Sequence, residues 1–191
     1  IGGQQISQKL ELNGVYNMLN AAAALCLVKK ILSDKKVDHD SAQLVDWLST
    51  IRPAFGRGET IELDGTPIEL ILVKNPSGFR LALMSFTEQK PTMIAINDNY
   101  ADGRDMSWLW DVDFSSLPGV DSVTGSRAYD MALRLQYDLV DVKSVNTDLV
   151  ASLSEFIKLQ PDSPKKIFCT YTAMTAIRRE LSKITDVEKI S

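Results

Sequence analysis

Residues 55–76 read FGRGETIELDGTPIELILVKNP, and the architecture turns on them. Asp64-Gly65 is a hairpin signal, because both residue types tolerate the positive φ of a tight two-residue turn. It predicts a strand on either side. The second strand, Ile68 to Val73, is apolar at nearly every position, the pattern of a strand covered on both faces. Downstream, helical and strand patterns alternate. A helix is predicted over 77–86, an apolar strand in PTMIAIN (91–97), a strand in VDSVTG (120–125) and a helix over 126–135. A strand near LVDVKSV (139–145), a helix over 148–159, a strand in KKIFCTY (165–171) and a helix over 172–182 complete the series. Strands that alternate with helices need crossover connections, so the sheet is predicted to be mostly parallel, an α/β fold with helices on both faces.

Upstream the character differs. QQISQKLEL (4–12) alternates polar and apolar residues and predicts a short strand, ended by the turn signal Asn13-Gly14. YNMLNAAAALCLVKKIL (16–32) is rich in Ala and Leu and predicts a buried helix with Lys29 and Lys30 toward its C-terminus. DHDSAQLVDWLSTI (38–51) sets Leu44, Val45, Trp47, Leu48 and Ile51 on one broad helical face, and Pro53 stops it. The switch from helices to sheet falls at 52–58. It divides the chain into a short strand plus two helices over 1–52 and the alternating domain over 53–191.

Composition narrows the chemistry. With 191 residues, 45% of them apolar, the chain can bury a full core. A net charge of −4 lacks the clustered basic face that displaces counterions from nucleic-acid phosphates. The longest apolar run, AAAALCLV (21–28), is far short of the ~20 residues that cross a bilayer. No basic start precedes a cleavage site, so the chain is expected inside a cell. Cys26 and Cys169 have no CxxC spacing and sit in apolar contexts, which predicts buried, reduced thiols. His39 is the single histidine, in the polar stretch VDHDS at a predicted helix start, where a capping or solvent-facing role is expected. One histidine cannot supply a zinc site or a self-contained Ser-His-Asp or Cys-His centre.

The stretch NDNYADGRDMSWLWDVDF (97–114) concentrates five aspartates and two of the three tryptophans. It follows an apolar strand, where functional loops of parallel sheets lie. As a calcium loop starting at Asp98 it fails, since the third and twelfth positions are Tyr100 and Leu109. A looser Mg²⁺ site at Asp98, Asp102 or Asp105 has nothing to single it out, and Asp98 and Asp102 suit a solvated turn that caps free N–H groups. Trp108 and Trp110 are expected to anchor the loop. An anchored loop holds a carboxylate in a fixed direction, which suits a carboxylate that orients another group.

This stretch resembles the signature of the MurT family, the Mur-ligase-like subunits of lipid II isoglutaminyl synthases. NGVYNMLNAAAA, FGRGE, LVKNPSG, VTGSRAYDMALRL and CTYTAM extend the match, in order, over nearly the whole chain. The resemblance implies a Rossmann-like Mur ligase C-terminal domain over 53–191, preceded by the end of the central ATPase domain over 1–52. The implied reaction is amidation of the D-glutamate α-carboxyl of the lipid II stem peptide. ATP with Mg²⁺ makes an acyl phosphate, and ammonia from a GatD-type glutaminase, the partner in a heterodimer, displaces the phosphate. The work is expected in the cytoplasm, at the inner face of the plasma membrane. Neither the glycine-rich phosphate loop of Mur ligases nor the cysteines of a MurT-type zinc ribbon occurs in this sequence. The chain alone is therefore expected to be inactive and to bind no nucleotide tightly, with no metal site of its own.

By the same resemblance, Asp105 completes the partner glutaminase's Cys-His pair; its alternative is a capping or salt-bridged aspartate beside Arg104. Asn17 and Asn20 match the Mur ligase NxxN positions near adenine, or cap a helix. Arg57 resembles an arginine that reaches nucleotide phosphate, or is a surface arginine beside Glu59. Lys74 and Asn75 occupy a turn that faces the nucleotide, and Tyr171 and Thr172 line the same cleft or cap the last helix. Two rivals stay open. An amino-acid-adding Mur ligase or folylpolyglutamate synthase C-terminal domain would have no need of DGRDxSWxWD. A non-catalytic Rossmann-like binding module would leave any partner's glutaminase indifferent to Asp105.

Overall fold

The computed structural model describes residues 6–10, 15–51, 57–84 and 90–187. The chain divides into two compact units, Ile1–Ala54 and Phe55–Ser191.

In the first unit, α1 (Val15–Asp34) and α2 (Ser41–Ser49) form where the Ala/Leu-rich and amphipathic patterns place them. Asp40 caps α2 by accepting the Ala42 N–H at 2.9 Å, which satisfies a donor that the helix cannot. His39 stands just before this cap, half-buried, with Nδ1 3.1 Å from the Val37 carbonyl. Three expectations are corrected here. Residues 6–10 are not strand; alternation alone is insufficient, because a strand needs a neighbouring edge for its ladder. The rest of the predicted segment, 4–5 and 11–12, lies outside the described residues. The helix expected to be buried is largely exposed: Ala21 and Asn17 are buried, but Met18, Leu19, Leu27, Val28 and Ile31 face solvent, and so does Cys26. Alanine and leucine form helix whether or not anything covers them, so composition predicted the helix but not its burial. Lys29 and Lys30 also fall short of the last turn, because α1 continues to Asp34, which pairs with Lys30 at 2.6 Å.

The second unit begins with the hairpin. β1 (Arg57–Leu63) and β2 (Thr66–Leu72) pair antiparallel around Asp64 and Gly65, both at positive φ. The series continues with α3 (Pro76–Met84), β3 (Thr92–Ala95), β4 (Ser122–Thr124), α4 (Ala128–Tyr137), β5 (Val145–Asn146), α5 (Leu149–Phe156), β6 (Lys165–Cys169) and α6 (Tyr171–Leu181). The predicted helix at 77–86 is seen to Met84; 85 and 86 lie outside the described residues. The sheet runs β1-β2-β6-β3-β4-β5, parallel except for β1. It is the mixed α/β sheet that the alternation predicts.

Helices cover both faces, and alternate strand residues serve each. Ile71, Ile94 and Phe168 pack with Phe79 and Leu83 of α3 and Met131 and Leu135 of α4. Their neighbours Leu70, Met93, Ala95, Ile167 and Cys169 pack with Leu153 and Phe156 of α5 and Met174, Ile177 and Leu181 of α6. Each large side chain removed from water contributes about 1.5–3 kcal/mol, and the period-two register assigns it to one layer or the other. The buried thiol of Cys169 is pushed well above its usual range by desolvation, as expected for a reduced core cysteine. β6 lies between β2 and β3, so the carboxyl ends of β3, β4 and β6 adjoin.

Candidate functional site

Residues 97–114 leave β3 at that carboxyl edge and are fastened to the starts of both α4 and α6. At the α6 end, Thr172 is the hub. Its backbone N–H donates to Asp102 Oδ1 at 2.8 Å and its hydroxyl donates to Asp102 Oδ2 at 2.6 Å. Its Oγ1 accepts the side-chain amides of Asn97 and Asn99 at 3.0 and 2.9 Å. Asp102 thus caps a helix 70 positions away in the sequence while also accepting the Asn99 N–H at 3.1 Å. Thr170 accepts the Asn97 N–H at 2.9 Å.

At the α4 end, Ser126 donates its N–H to Asn97 Oδ1 at 3.0 Å and its hydroxyl to Asp98 Oδ1 at 2.7 Å, while Arg127 lies 3.4 Å from Asp98. The Ser126 hydroxyl, aided by Arg127, holds the Asp98 carboxyl below the ordinary carboxylate range. Gly125 permits this closeness. It has φ +98, and a Cβ there would sit 2.3 Å from the Ile96 carbonyl oxygen and 2.7 Å from Asn97 Oδ1, a conformation and a gap open only to glycine.

The rest of the loop is anchored by a mixture of apolar packing and one arginine. Residues 107–111 form a 3₁₀ turn, in which side chains three apart eclipse. Met106, Leu109 and Val112 accordingly share one buried face, and Phe114 is buried beyond them. Of the two tryptophans expected as anchors, Trp108 fills that role, packed beside Phe79 at a centroid distance of 6.4 Å. Trp110 does not: the three-residue period turns it outward. It rests edge-on against Tyr137 at 5.1 Å with the Arg134 guanidinium 5.6 Å from its ring. Arg134, buried, donates to the Val112 carbonyl at 2.5 Å and pairs with Asp138 at 2.7 Å; Asp138 in turn accepts the Phe114 N–H at 2.7 Å. Arg80 donates to the Asp111 carbonyl.

Asp105 stands on this fastened loop just after Gly103 and Arg104, both at positive φ. Its Oδ1 accepts the Ser107 N–H at 2.8 Å. That bond, with a further one from the Ser107 side chain, keeps its carboxyl below the ordinary range, while the residue remains exposed. The group is thus anionic at neutral pH, fixed from one side and accessible from the other. It lines an open hollow of about 340 Å³ with Arg104, Ser107, Trp110, Arg127 and Asp130. Asp98, Asp102 and Asp105 face separate partners, and among the described residues no three metal-ligating side chains converge.

The other predicted positions are spread out. Asn17 is buried on α1 and Asn20 is exposed one turn later. Arg57 opens β1, with its side chain outside the described residues; Glu59, the neighbour expected for it, pairs with Arg178 of α6. Lys74 and Asn75 are exposed at the carboxyl end of β2, where Asn75 Oδ1 accepts the Gly78 N–H at 2.8 Å at the start of α3. Tyr171 is partly exposed at the first turn of α6. Sequence reading missed Ser126, Arg127, Arg134 and Asp138. A signal existed for the first two, since GSR directly follows an apolar strand.

Comparison with known proteins accords with this geometry. Residues 72–174 match the family described as MurT ligase C-terminal. The MurT subunit of the glutamine-hydrolysing lipid II isoglutaminyl synthase of Streptococcus pneumoniae is 29% identical over 99% of this chain and 42% of its own length. The same subunit from Staphylococcus aureus is 32% identical over 70% of this chain and 31% of its length. A pseudomurein peptide ligase type C from Methanothermus fervidus superposes on 97% of this chain and 39% of its own, with TM-score 0.70 at 17% identity, a likeness of fold. The chain spans about two fifths of the length of the first of these relatives. Over more than half of its residues the sequence fits the same family as its aspartate loop, and the chain belongs to the MurT ligase C-terminal family.

Proposed function

We propose that this chain is the C-terminal part of the ligase subunit of a glutamine-dependent amidotransferase, and that Asp105 completes a Cys-His glutaminase centre on a second, GatD-type subunit. One observation carries the reading: an ionised, accessible carboxylate held by Ser107 on a loop pinned to α4 and α6. A cysteine thiol attacking the glutamine carboxamide needs a histidine to take its proton and give it to the departing ammonia. A fixed carboxylate orients that imidazole and stabilises its cationic form. The single histidine of this chain is His39, beside the cap of α2, and in this reading the imidazole belongs to the second subunit. The released ammonia then attacks the D-glutamate α-carboxyl of the lipid II stem peptide, activated as its acyl phosphate, and phosphate leaves, at the cytoplasmic face of the membrane.

ATP and Mg²⁺ belong, in this reading, to the longer subunit. The residues present do not fit a complete nucleotide site: Asn75 engages its side-chain carbonyl on α3, Asn20 is exposed, and the sequence has no glycine-rich loop to cradle phosphates. The test is coexpression of the full-length subunit with its glutaminase, comparing glutamine hydrolysis by wild type and Asp105→Asn. Exchanging the carboxylate for an amide is expected to lower turnover by about 10²–10⁴-fold. Undiminished hydrolysis would remove Asp105 from the centre.

A further inference from the structure

Thr172 makes more bonds than its helix needs. The start of α6 leaves backbone N–H groups without partners, and the Asp102 carboxylate satisfies one of them, the Thr172 N–H. Any residue type except proline would present that N–H. The hydroxyl is a separate matter. It donates to Asp102 Oδ2 and accepts from the side-chain amides of Asn97 and Asn99, which uses its one hydrogen and both lone pairs. All three bonds go to the aspartate loop, and none of them supports α6. Lining a nucleotide cleft or capping a helix, the roles expected for this position, accounts for neither the number nor the direction of these bonds.

The chain just beyond Asp102 shows what such a clasp controls. Residues 100–102 form a 3₁₀ turn that closes with the Gly103 N–H donating to the Tyr100 carbonyl at 3.2 Å. Gly103 and Arg104 follow at φ +92 and +33, and the Asp105 N–H turns back onto the Gly103 carbonyl. Backbone folded on itself in this way is a short, stiff arm, and it spans at most about 10 Å from Asp102 to Asp105. Downstream, Asp105 is held by the Ser107 N–H and by the buried face of Met106, Leu109 and Val112. Among the described residues, Asp102 is the last side chain before Asp105 that bonds to another element. Releasing it leaves the Asp105 carboxylate anchored at its downstream end alone.

We propose that Thr172 is a positioning residue for the glutaminase reaction: through Asp102 it sets the direction in which Asp105 presents its carboxylate to the imidazole of the second subunit. The proposal rests on the reading of Asp105 given above and fails separately from it. Thr172 touches neither glutamine nor imidazole. It acts through a carboxylate whose benefit is largest in the transition state, where the imidazole is cationic. Its loss therefore lowers kcat and leaves KM for glutamine unchanged. A displacement of about 1 Å at such a group is enough to cost on the order of 100-fold.

The test measures glutamine hydrolysis by the full-length subunit with its glutaminase, at a temperature well below the Tm of every variant. Thr172→Val is expected to lower kcat about 10- to 100-fold, with KM for glutamine within about twofold of wild type. Thr172→Ser keeps the hydroxyl and is expected to stay within about threefold of wild type. Leu181→Ala removes buried packing at the far end of α6; it lowers Tm and leaves kcat unchanged, which separates positioning from stability. Asp102→Asn breaks the same clasp from the loop side, lowers kcat in the same direction, and decides the matter where Thr172→Val folds poorly. Unchanged kcat in Thr172→Val and Asp102→Asn, beside abolished hydrolysis in Asp105→Asn, would overturn the positioning role and leave the triad standing. Equal falls in kcat for Thr172→Val, Thr172→Ser and Leu181→Ala would overturn it as well. Full hydrolysis by Asp105→Asn would instead remove the triad on which this role depends.

Discussion

Asp102→Asn isolates the bond that ties the aspartate loop to α6. The Thr172 hydroxyl already accepts two amide donors, Asn97 Nδ2 and Asn99 Nδ2, so its lone pairs are filled and its hydrogen must go to Asp102. The Asn97 orientation is fixed because its Oδ1 accepts the Ser126 N–H. An asparagine at 102 can keep one contact, its Oδ1 accepting the Thr172 N–H. Its Nδ2 then points at the Thr172 hydroxyl and the Asn99 N–H, donor against donor. Two charge-assisted bonds are lost, each typically worth about 1.5–3 kcal/mol. Because Asp102 is half-buried, solvent screening trims the sum to about 2–3 kcal/mol. For a chain of this size that lowers Tm by roughly 5–10 °C. Urea and thermal unfolding followed by tryptophan fluorescence measure it, with Trp108 and Trp110 reporting the loop itself. Thr172→Ser, which keeps the hydroxyl, is expected to cost far less than Thr172→Val. A loss under about 0.5 kcal/mol for Asp102→Asn, or equal losses for the two Thr172 variants, would refute the hub.

Four further outcomes follow from the same geometry. Gly125→Ala forces a Cβ against the Ile96 carbonyl in a left-handed conformation and is expected to destabilise by about 3 kcal/mol, read as a lower urea midpoint. Arg134→Met leaves Asp138 and the Val112 carbonyl without their cation; a loss of about 3 kcal/mol is expected, with a shift in Trp110 emission. Asp98, depressed chiefly by the Ser126 hydroxyl, contributes stability that is complete above its ordinary value of 3.8 and is lost as pH falls through its lower folded value. Acid titration of unfolding free energy should show that limb, and Ser126→Ala should flatten it. With a thiol reagent under native conditions, exposed Cys26 reacts at once, whereas Cys169, buried and shifted upward, reacts only on unfolding.

Most elements of the second unit were legible because their causes are local; the strand expected over 139–145 instead forms at Val145–Asn146, with only an isolated bridge at Val142 before it. Asp64-Gly65 can form its turn whatever surrounds it, Asp148 caps α5 through N–H groups two and three residues on, and apolar periodicity reads directly as strand or helix. The failures share a cause too. Residues 6–10 alternate like a strand and α1 is composed like a buried helix, yet ladder pairing and coverage depend on what lies alongside, which periodicity does not encode. Trp110 looked like an anchor because tryptophan usually is one. The three-residue period of a 3₁₀ turn, invisible beforehand, gave that task to Met106, Leu109 and Val112.

The α/β class and the order of strands and helices in the second unit were legible in the sequence alone, whereas Asp105 was singled out by the resemblance that the DGRDMSWLWD spelling carries. The sequence could not say what holds that carboxylate in place. Tertiary structure decided that β6 sits between β2 and β3, that Asp102 meets Thr172 across 70 residues, and that Arg134 grips Val112 and Asp138. The physical reason is range: propensities, caps and turns act over a few residues, whereas the bonds that aim the loop close only after the sheet has brought distant strand ends side by side.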